Sequence, residues 1–232
     1  MRIMKIFITC TLILGLTLSC AGRSSKEVSQ LDDSVGVSAE TQIEELSVNT
    51  DKGDDKEVIL QLIRGILMWS DEEDRMWHFP GLKDVNSNLY TGLDPVIHTQ
   101  NLKNLESTGF FSKEFLDNYN GIYRTIDEKL KNKELEWLTG EMPPFGENVD
   151  PWCGCQDIPY DNPNPRELIE VEVISLDDEK GELNWKWGSL GPDVFQGWRD
   201  FRYKFIVVKE DGVWKITYLQ GFDFDIFTNR NY

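Results

Sequence analysis

The chain has 232 residues, of which 24 are lysine or arginine and 41 are aspartate or glutamate, so its formal net charge is −17. So acidic a chain repels phosphate backbones and anionic headgroups, which argues against nucleic-acid binding and against a basic membrane-binding face. A hydrophobic share of 40% and an aromatic share of 12% exclude wholesale disorder, and the length suits one domain or at most two. With two histidines and four cysteines, few soft ligands are available, so we expect neither a metal nor a cofactor.

The first twenty residues have the pattern of a secretory signal. Arg2 and Lys5 form a basic start, residues 6–18 are apolar, and small Ser19 precedes Cys20. As a helix, the 13 residues of the apolar run would span about 20 Å, which is short of the ~30 Å hydrocarbon core of a bilayer. We therefore predict a signal peptide over residues 1–19 rather than a retained transmembrane helix.

The end of this signal resembles the lipobox of bacterial lipoproteins. The residues concerned are 16–20, Leu-Thr-Leu-Ser-Cys, although Thr17 stands where the family prefers a large side chain. The resemblance implies that Cys20 becomes the first residue of the mature chain and carries acyl chains, such as palmitate, that anchor it in a membrane. Ala21 differs from the aspartate that retains some lipoproteins at the inner membrane, so the resemblance implies an outer-membrane location in the cell envelope, in either leaflet. An ordinary secretory signal, leaving Cys20 as a thiol, is the alternative.

A change in composition divides the rest of the chain. Residues 20–53 are rich in serine and acids and contain no aromatic residue, so they lack the apolar area that folding requires, and we predict a flexible tether. Of the 27 aromatic residues, 26 lie in residues 54–232, which we predict to be one folded domain. That segment holds 19 basic and 34 acidic residues, so the acidity belongs to the domain as well.

Three helices are predicted in the first half of this domain. Apolar residues recur at helical spacing from Val58 to Leu67, with Asp54 or Asp55 near the helix start. A second helix is predicted over about residues 94–106, with a proline in its first turn. A third is predicted to begin at Ser112, and its apolar stripe continues to residue 130.

Six of the nine prolines fall within residues 143–165, where we expect irregular structure. After them apolar and polar residues alternate with a period of two, which predicts half-buried strands with Val173 and Tyr218 among the inward-facing residues. The four alternating stretches are 169–173, 183–187, 201–207 and 214–218, with hairpin turns at 177–181 and 210–212. Helices followed by such a meander predict an α+β fold, with N-terminal helices packed on an antiparallel sheet of about four strands.

Two short motifs carry a further resemblance. Residues 209–216, Lys-Glu-Asp-Gly-Val-Trp-Lys-Ile, and residues 152–157, Trp-Cys-Gly-Cys-Gln-Asp, are similar to segments of a bacterial lipoprotein family of unknown function with the nuclear-transport-factor-two-like fold. The resemblance implies a cone-like, cystatin-like α+β domain with a curled sheet. That fold hosts isomerases, dehydratases and hydrolases as well as non-catalytic binding domains, so the fold does not decide the activity.

The cysteines and histidines form no recognisable catalytic constellation. Cys153 and Cys155 are the cysteines that remain beside a lipidated Cys20, and an oxidising compartment favours a disulfide between them. Two free or structurally paired thiols in a loop are the plainer interpretation, and a redox role is the sharper alternative. His78 and His98 are expected to be surface or structural residues, because nothing in the local sequence shows either of them meeting an acid inside a pocket. We assign no catalytic residue and no metal ligand.

Aromatic side chains provide the candidate ligand pocket. Five are predicted to lie on strand faces or on the proline-rich loop, and they form either core or the lining of an open cone mouth. These residues are Trp152, Trp185, Trp187, Tyr203 and Tyr218.

Three functions remain open at this stage. The first is a lipid-anchored, non-catalytic domain that binds a small molecule or a protein. The second is a cone-fold lyase, isomerase or hydrolase that uses a buried acid and a tyrosine. The third is an acidic inhibitor or immunity-type protein, which the negative domain charge would help to attract to a basic partner.

Overall fold

In the computed structural model, the described residues are 52–72, 79–159 and 164–229, and all of them belong to one unit of the chain, Val48–Tyr232. The predicted signal peptide, Cys20, the tether as far as residue 51, and His78 lie outside the described residues. The described part has the predicted α+β fold, in which helices pack on an open four-stranded antiparallel sheet. Its helices are α1 (Lys52–Glu72), α2 (Pro95–Thr108), α3 (Lys113–Lys131), α4 (Gln196–Asp200) and α5 (Phe224–Thr228). Its strands are β1 (Gly81–Lys83), β2 (Tyr90–Leu93), β3 (Ile169–Leu176), β4 (Lys180–Trp187), β5 (Tyr203–Glu210) and β6 (Val213–Leu219).

Helix α1 packs one apolar face against β3 and β6. The buried face consists of Ile59, Ile63, Ile66 and Leu67, whose spacing of four, three and one places them on one side of a helix. Val58, which belongs to the predicted apolar stretch, lies beside this face and is 48% exposed. The helix starts at Lys52, two residues before the predicted domain boundary.

Helices α2 and α3 begin where their capping residues predict. The side chain of Asp94 accepts hydrogen bonds from the backbone N–H groups of Val96 and Ile97, and that of Ser112 accepts one from Phe115 N–H. These bonds satisfy donors that have no partner within the helix. Helix α2 ends at Gly109, whose φ of 70° is the left-handed conformation that favours glycine at a helix C-terminus.

The four predicted strands form one sheet in the order β3-β4-β5-β6, with each neighbouring pair antiparallel. The turn between β3 and β4 is closed by Asp177, whose Oδ1 accepts hydrogen bonds from the N–H groups of Glu179 and Lys180. Asp211 and Gly212 both have positive φ at the turn between β5 and β6. These local signals explain why the hairpins were predictable from sequence.

Two strand residues are not buried in the core as the alternation predicts. Val173 pairs with the buried Leu183 and so keeps the face that the alternation gives it, but it is 42% exposed, and the β3–β4 register shifts only after it, before Ser175. The β5–β6 register shifts so that Thr217 is buried beside Ile216, while Tyr218 lies on the opposite face and is half-buried. The shift in β6 inserts one extra residue, and with a period of two an extra residue moves the following side chain, here that of Tyr218, to the other face.

A two-stranded hairpin, β1–β2, was not among the predicted strands. Its strands have only three and four residues, too few for the period to be visible. Strand β2 packs on α3, and Leu93 N–H donates a hydrogen bond of 2.9 Å to Oδ1 of the buried Asp127. The hairpin is therefore held by tertiary contacts rather than by its own propensity.

Candidate functional site

A cleft of about 560 Å³ opens beside the proline-rich loop, within the size range of small-molecule sites. Apolar side chains supply much of its wall, among them Phe79, Phe145, Val149, Pro151 and Phe227. Five charged residues also line it, and these are Asp71, Glu147, Asp150, Asp157 and Arg166. The formal charge of the lining is therefore −3 if every acid is ionised.

Backbone hydrogen bonds hold the loop beside the cleft in one conformation. Gly146 N–H donates to the carbonyl of Phe227 at 2.9 Å, which ties the loop to α5. Asp150 N–H donates to the carbonyl of Cys155 at 3.1 Å, and Gly154 N–H donates to the carbonyl of Asp150 at 2.7 Å. The prolines remove donors from this segment, so these few bonds and side-chain packing replace regular secondary structure.

A disulfide joins Cys153 and Cys155, and both cysteines line the cleft. Gly154 between them has φ +61°, and a Cβ at this position would lie 2.8 Å from the ring of Tyr203. Only glycine fits that conformation and that space without strain. The loop thus packs directly on the first residue of β5.

Tyr203 fixes the other side of the same loop. Its hydroxyl donates to the carbonyl of Pro151 at 2.6 Å and accepts from the N–H of Gly221 at 2.9 Å. Burial raises the pKa of Tyr203 well above its ordinary value. Backbone groups thus engage the hydroxyl both as donor and as acceptor, so this tyrosine holds the loop in place.

Arg166 is a buried cation at the wall of the cleft. Its Nε and Nη2 donate to the two carboxylate oxygens of Asp71, each at 2.8 Å, and its guanidinium lies 5.6 Å from the ring centre of Trp187. The residue is only 7% exposed. Nη1 is buried and has no hydrogen-bond partner within residues 52–72, 79–159 and 164–229.

Asp150 is the most desolvated acid of the cleft. Burial raises its pKa above the ordinary value, although the N–H of Trp152 and the charge of Arg166 both oppose that shift. Its Oδ1 accepts the hydrogen bond from Trp152 N–H at 2.9 Å. No residue in the described part of the chain donates a hydrogen bond to Oδ2, and Asp150 belongs to the lining of the cleft.

Sequence reasoning missed this pair of charged groups. Arg166 is the only basic residue between Lys133 and Lys180, in a segment rich in acids and prolines. The isolation of Arg166 among acids and prolines is visible in the sequence and could have pointed to this residue. Its role depends on its ion-pair partner Asp71, which is 95 positions away along the chain.

None of the five aromatic residues predicted as a ligand pocket lines the cleft. Trp152, Trp185, Trp187 and Tyr203 are at most 3% exposed, and they pack in the core. Trp185 lies in edge contact with Trp187, with ring centres 4.9 Å apart. Tyr218 lies on the other face of the sheet, where its hydroxyl donates to Asp223 at 3.1 Å. The expected cone mouth is therefore filled by its own aromatic side chains, and the open space lies beside the loop.

His98 occupies a structural position between α2 and α3. Its ring stacks on Tyr123 with centres 3.6 Å apart, and its Nε2 is 3.0 Å from Oδ1 of Asn120. Burial lowers the pKa of His98, because desolvation disfavours the charged imidazolium. It does not contribute to the lining of the cleft.

In the described segments, no three His, Cys, Asp or Glu side chains are grouped so as to hold a metal ion. The helices described there are all too short or too polar to cross a bilayer.

Comparison of the chain with known protein families, with curated proteins and with solved structures finds no match.

Proposed function

We propose that this protein is a lipid-anchored component of the cell envelope whose domain is a non-catalytic binding module, with the cleft beside the proline-rich loop as its binding site. The proposed binding site rests on one observation, the cleft itself. Its lining combines apolar side chains with charged groups whose hydrogen-bonding capacity is only partly used by the described residues. Such a combination of apolar area and a few oriented polar groups is typical of ligand sites. The anchor rests on the lipobox-like residues ending at Cys20.

The position of the cleft favours binding over the enzymatic alternative. An isomerase-like site needs a carboxylate and an acidic donor that face each other in an apolar pocket inside the cone. The residues lining the cleft include none from β3, β4, β5 or β6. The hydroxyl of Tyr203, the best-placed acidic donor, is already engaged by Pro151 and Gly221.

An NMR titration of the full-length protein in detergent micelles with indole tests the binding site. Indole is neutral and apolar, so it requires only the apolar wall. We expect the amide signals of Gly146, Cys153 and Gly221 to shift with saturable dependence on indole, while those of β3 do not.

A matched pair of variants locates the binding. Val149→Trp places a large side chain at the wall and is expected to abolish the saturable shifts. Val213→Trp adds the same side chain at a position that is 57% exposed and outside the cleft, and it is expected to leave them unchanged. Equal shifts in both variants, or none in the unaltered protein, would overturn the assignment of the cleft as a binding site.

A further inference from the structure

Arg166 leaves one guanidinium nitrogen without an acceptor. Asp71 occupies the edge of the guanidinium formed by Nε and Nη2, and Trp187 lies against the group. The nitrogen that remains is Nη1, which is buried and has no acceptor among the described residues. A buried donor without an acceptor is costly, so the wall lacks one acceptor atom at this point.

Asp150 leaves an acceptor in the same cleft. Oδ1 is used by Trp152 N–H, whereas Oδ2 receives no hydrogen bond within the described part of the chain. Glu147 and Asp157 add two further negative charges to the lining, and the one positive charge, on Arg166, is already paired with Asp71. The local field therefore favours a cation beside Asp150 and disfavours a ligand whose net charge is negative.

We propose that the cleft binds an α-ammonium group with its adjacent carbonyl, carried on an apolar side chain. In this arrangement the ammonium lies against Asp150, the carbonyl oxygen accepts from Nη1 of Arg166, and the side chain packs on Phe145 and Phe227. Free apolar amino acids and the amino-terminal residue of a peptide both present this chemistry. The inference deepens the proposed function and depends on the same cleft.

Three probes with one phenyl group separate the required parts of the ligand. Phenylalaninamide has the ammonium and the carbonyl, N-acetylphenylalaninamide lacks the ammonium, and 2-phenylethylamine lacks the carbonyl. With full-length protein in detergent micelles, we expect calorimetric titration to show that phenylalaninamide binds about tenfold or more tightly than either of the others, because a hydrogen bond to a charged group contributes at least that factor. Equal affinity for N-acetylphenylalaninamide would overturn the proposal.

Variants assign the two contacts. Asp150→Asn keeps an oxygen for Trp152 N–H but loses the charge, and we expect it to weaken phenylalaninamide about tenfold or more while leaving N-acetylphenylalaninamide unchanged. Asp178→Asn removes the same charge from an exposed hairpin and is expected to have no effect. Arg166→Gln should weaken phenylalaninamide but not 2-phenylethylamine. If this variant fails to fold, the comparison of those two probes on the unaltered protein decides the role of Nη1.

The source of the ligand is tested with phenylalanine and with the tripeptide Phe-Gly-Gly. Tighter binding of the tripeptide assigns the site to peptide amino termini, and tighter binding of phenylalanine assigns it to free amino acids. If indole binds the cleft and no amine is preferred over N-acetylphenylalaninamide, the inference fails while the proposed function stands. If indole also fails to bind, the proposed function fails as well.

Discussion

Asp55 shows how a single carboxylate joins the first helix to the last strands. Its Oδ1 accepts a hydrogen bond of 2.7 Å from Nε1 of Trp214, and Nζ of Lys209 lies 3.2 Å from the same oxygen. The bond from Trp214 lowers the pKa of Asp55, followed by smaller effects of Lys209. Lys209 also lies 4.6 Å from the ring centre of Trp214, so three residues from α1, β5 and β6 form one contact.

The indole of Trp214 is expected to contribute mainly through packing. It is 4% exposed, and truncation of a buried aromatic residue typically costs about 3–5 kcal/mol. We expect Trp214→Ala to lose a free energy of unfolding of that size in denaturant titration. Trp214→Phe, which keeps most of the ring but not the hydrogen bond to Asp55, should lose clearly less. Equal losses would assign the effect to the hydrogen bond instead.

The raised pKa of Asp150 lowers the stability of the folded protein as pH rises, whereas a salt-bridged acid raises it. Its folded pKa is raised above 3.8, so the unfolded chain loses this proton first, and stability falls as pH rises through that window. Asp150→Asn cannot ionise, so it removes this loss of stability. We expect the difference in melting temperature, variant minus unaltered protein, to be more positive at pH 7 than at pH 3. The same difference at both values, or a similar trend in Asp178→Asn, would contradict the interpretation.

The sheet and the proline-rich loop depend on irregularities that a regular pattern does not predict. In β3, Val173 pairs with the buried Leu183 and yet is 42% exposed, whereas Val171 two positions earlier is 5% exposed. In the loop, the glycine between the paired cysteines lets the chain lie on Tyr203. Each feature is tested by a pair of matched substitutions.

Lysine at two positions of β3 compares a covered and an exposed position on the same face of the strand. Val173→Lys places a charge where the structure is exposed, and we expect a change within about 0.5 kcal/mol. Val171→Lys buries the charge in the core and is expected to unfold the domain or to destabilise it severely. Circular dichroism during thermal unfolding measures both. Severe destabilisation by Val173→Lys would show that Val173 is covered in the folded protein, as the simple alternation predicts.

Alanine at two glycines separates backbone strain from crowding. Gly154 and Gly140 both have positive φ, but a Cβ at Gly140 meets nothing within 4 Å. We expect Gly140→Ala to cost about 1–2 kcal/mol for the left-handed conformation alone. Gly154→Ala should cost about 1–3 kcal/mol more, because the added methyl group meets Tyr203. Equal costs in denaturant titration would show that the loop moves away from the ring freely.

At the scale of the whole molecule, the chain combines a strongly acidic domain with a start that resembles a lipoprotein signal. The 34 acids and 19 basic residues of the domain repel anionic lipid headgroups, so the proposed membrane attachment is expected to depend on the proposed acyl chains at Cys20.

Removal of the thiol of Cys20 tests the proposed anchor. We expect Cys20→Ser to release the protein from the membrane fraction and to leave the amino-terminal signal uncleaved by the lipoprotein pathway. Fractionation and mass determination of the protein's amino terminus measure the two effects. Cys153→Ser serves as the control, because it removes a cysteine that the lipobox resemblance does not implicate. Continued membrane attachment with an unchanged amino terminus in Cys20→Ser would refute the lipoprotein interpretation.

Local patterns in the sequence determined the fold class, two helix starts and the four main strands. Asp94 and Ser112 cap helices through bonds to residues two or three positions away, and the hairpin at Asp177 closes within four residues. Interactions over so few residues can be predicted from the order and spacing of the residues alone.

The tertiary structure decided the bulges, the hairpin β1–β2 and the candidate site. The bidentate pair of Arg166 with Asp71 spans 95 positions, and the fit of Gly154 against Tyr203 depends on how the loop meets the sheet. Burial and pairing between distant segments have no local period, so only the folded chain brings them together.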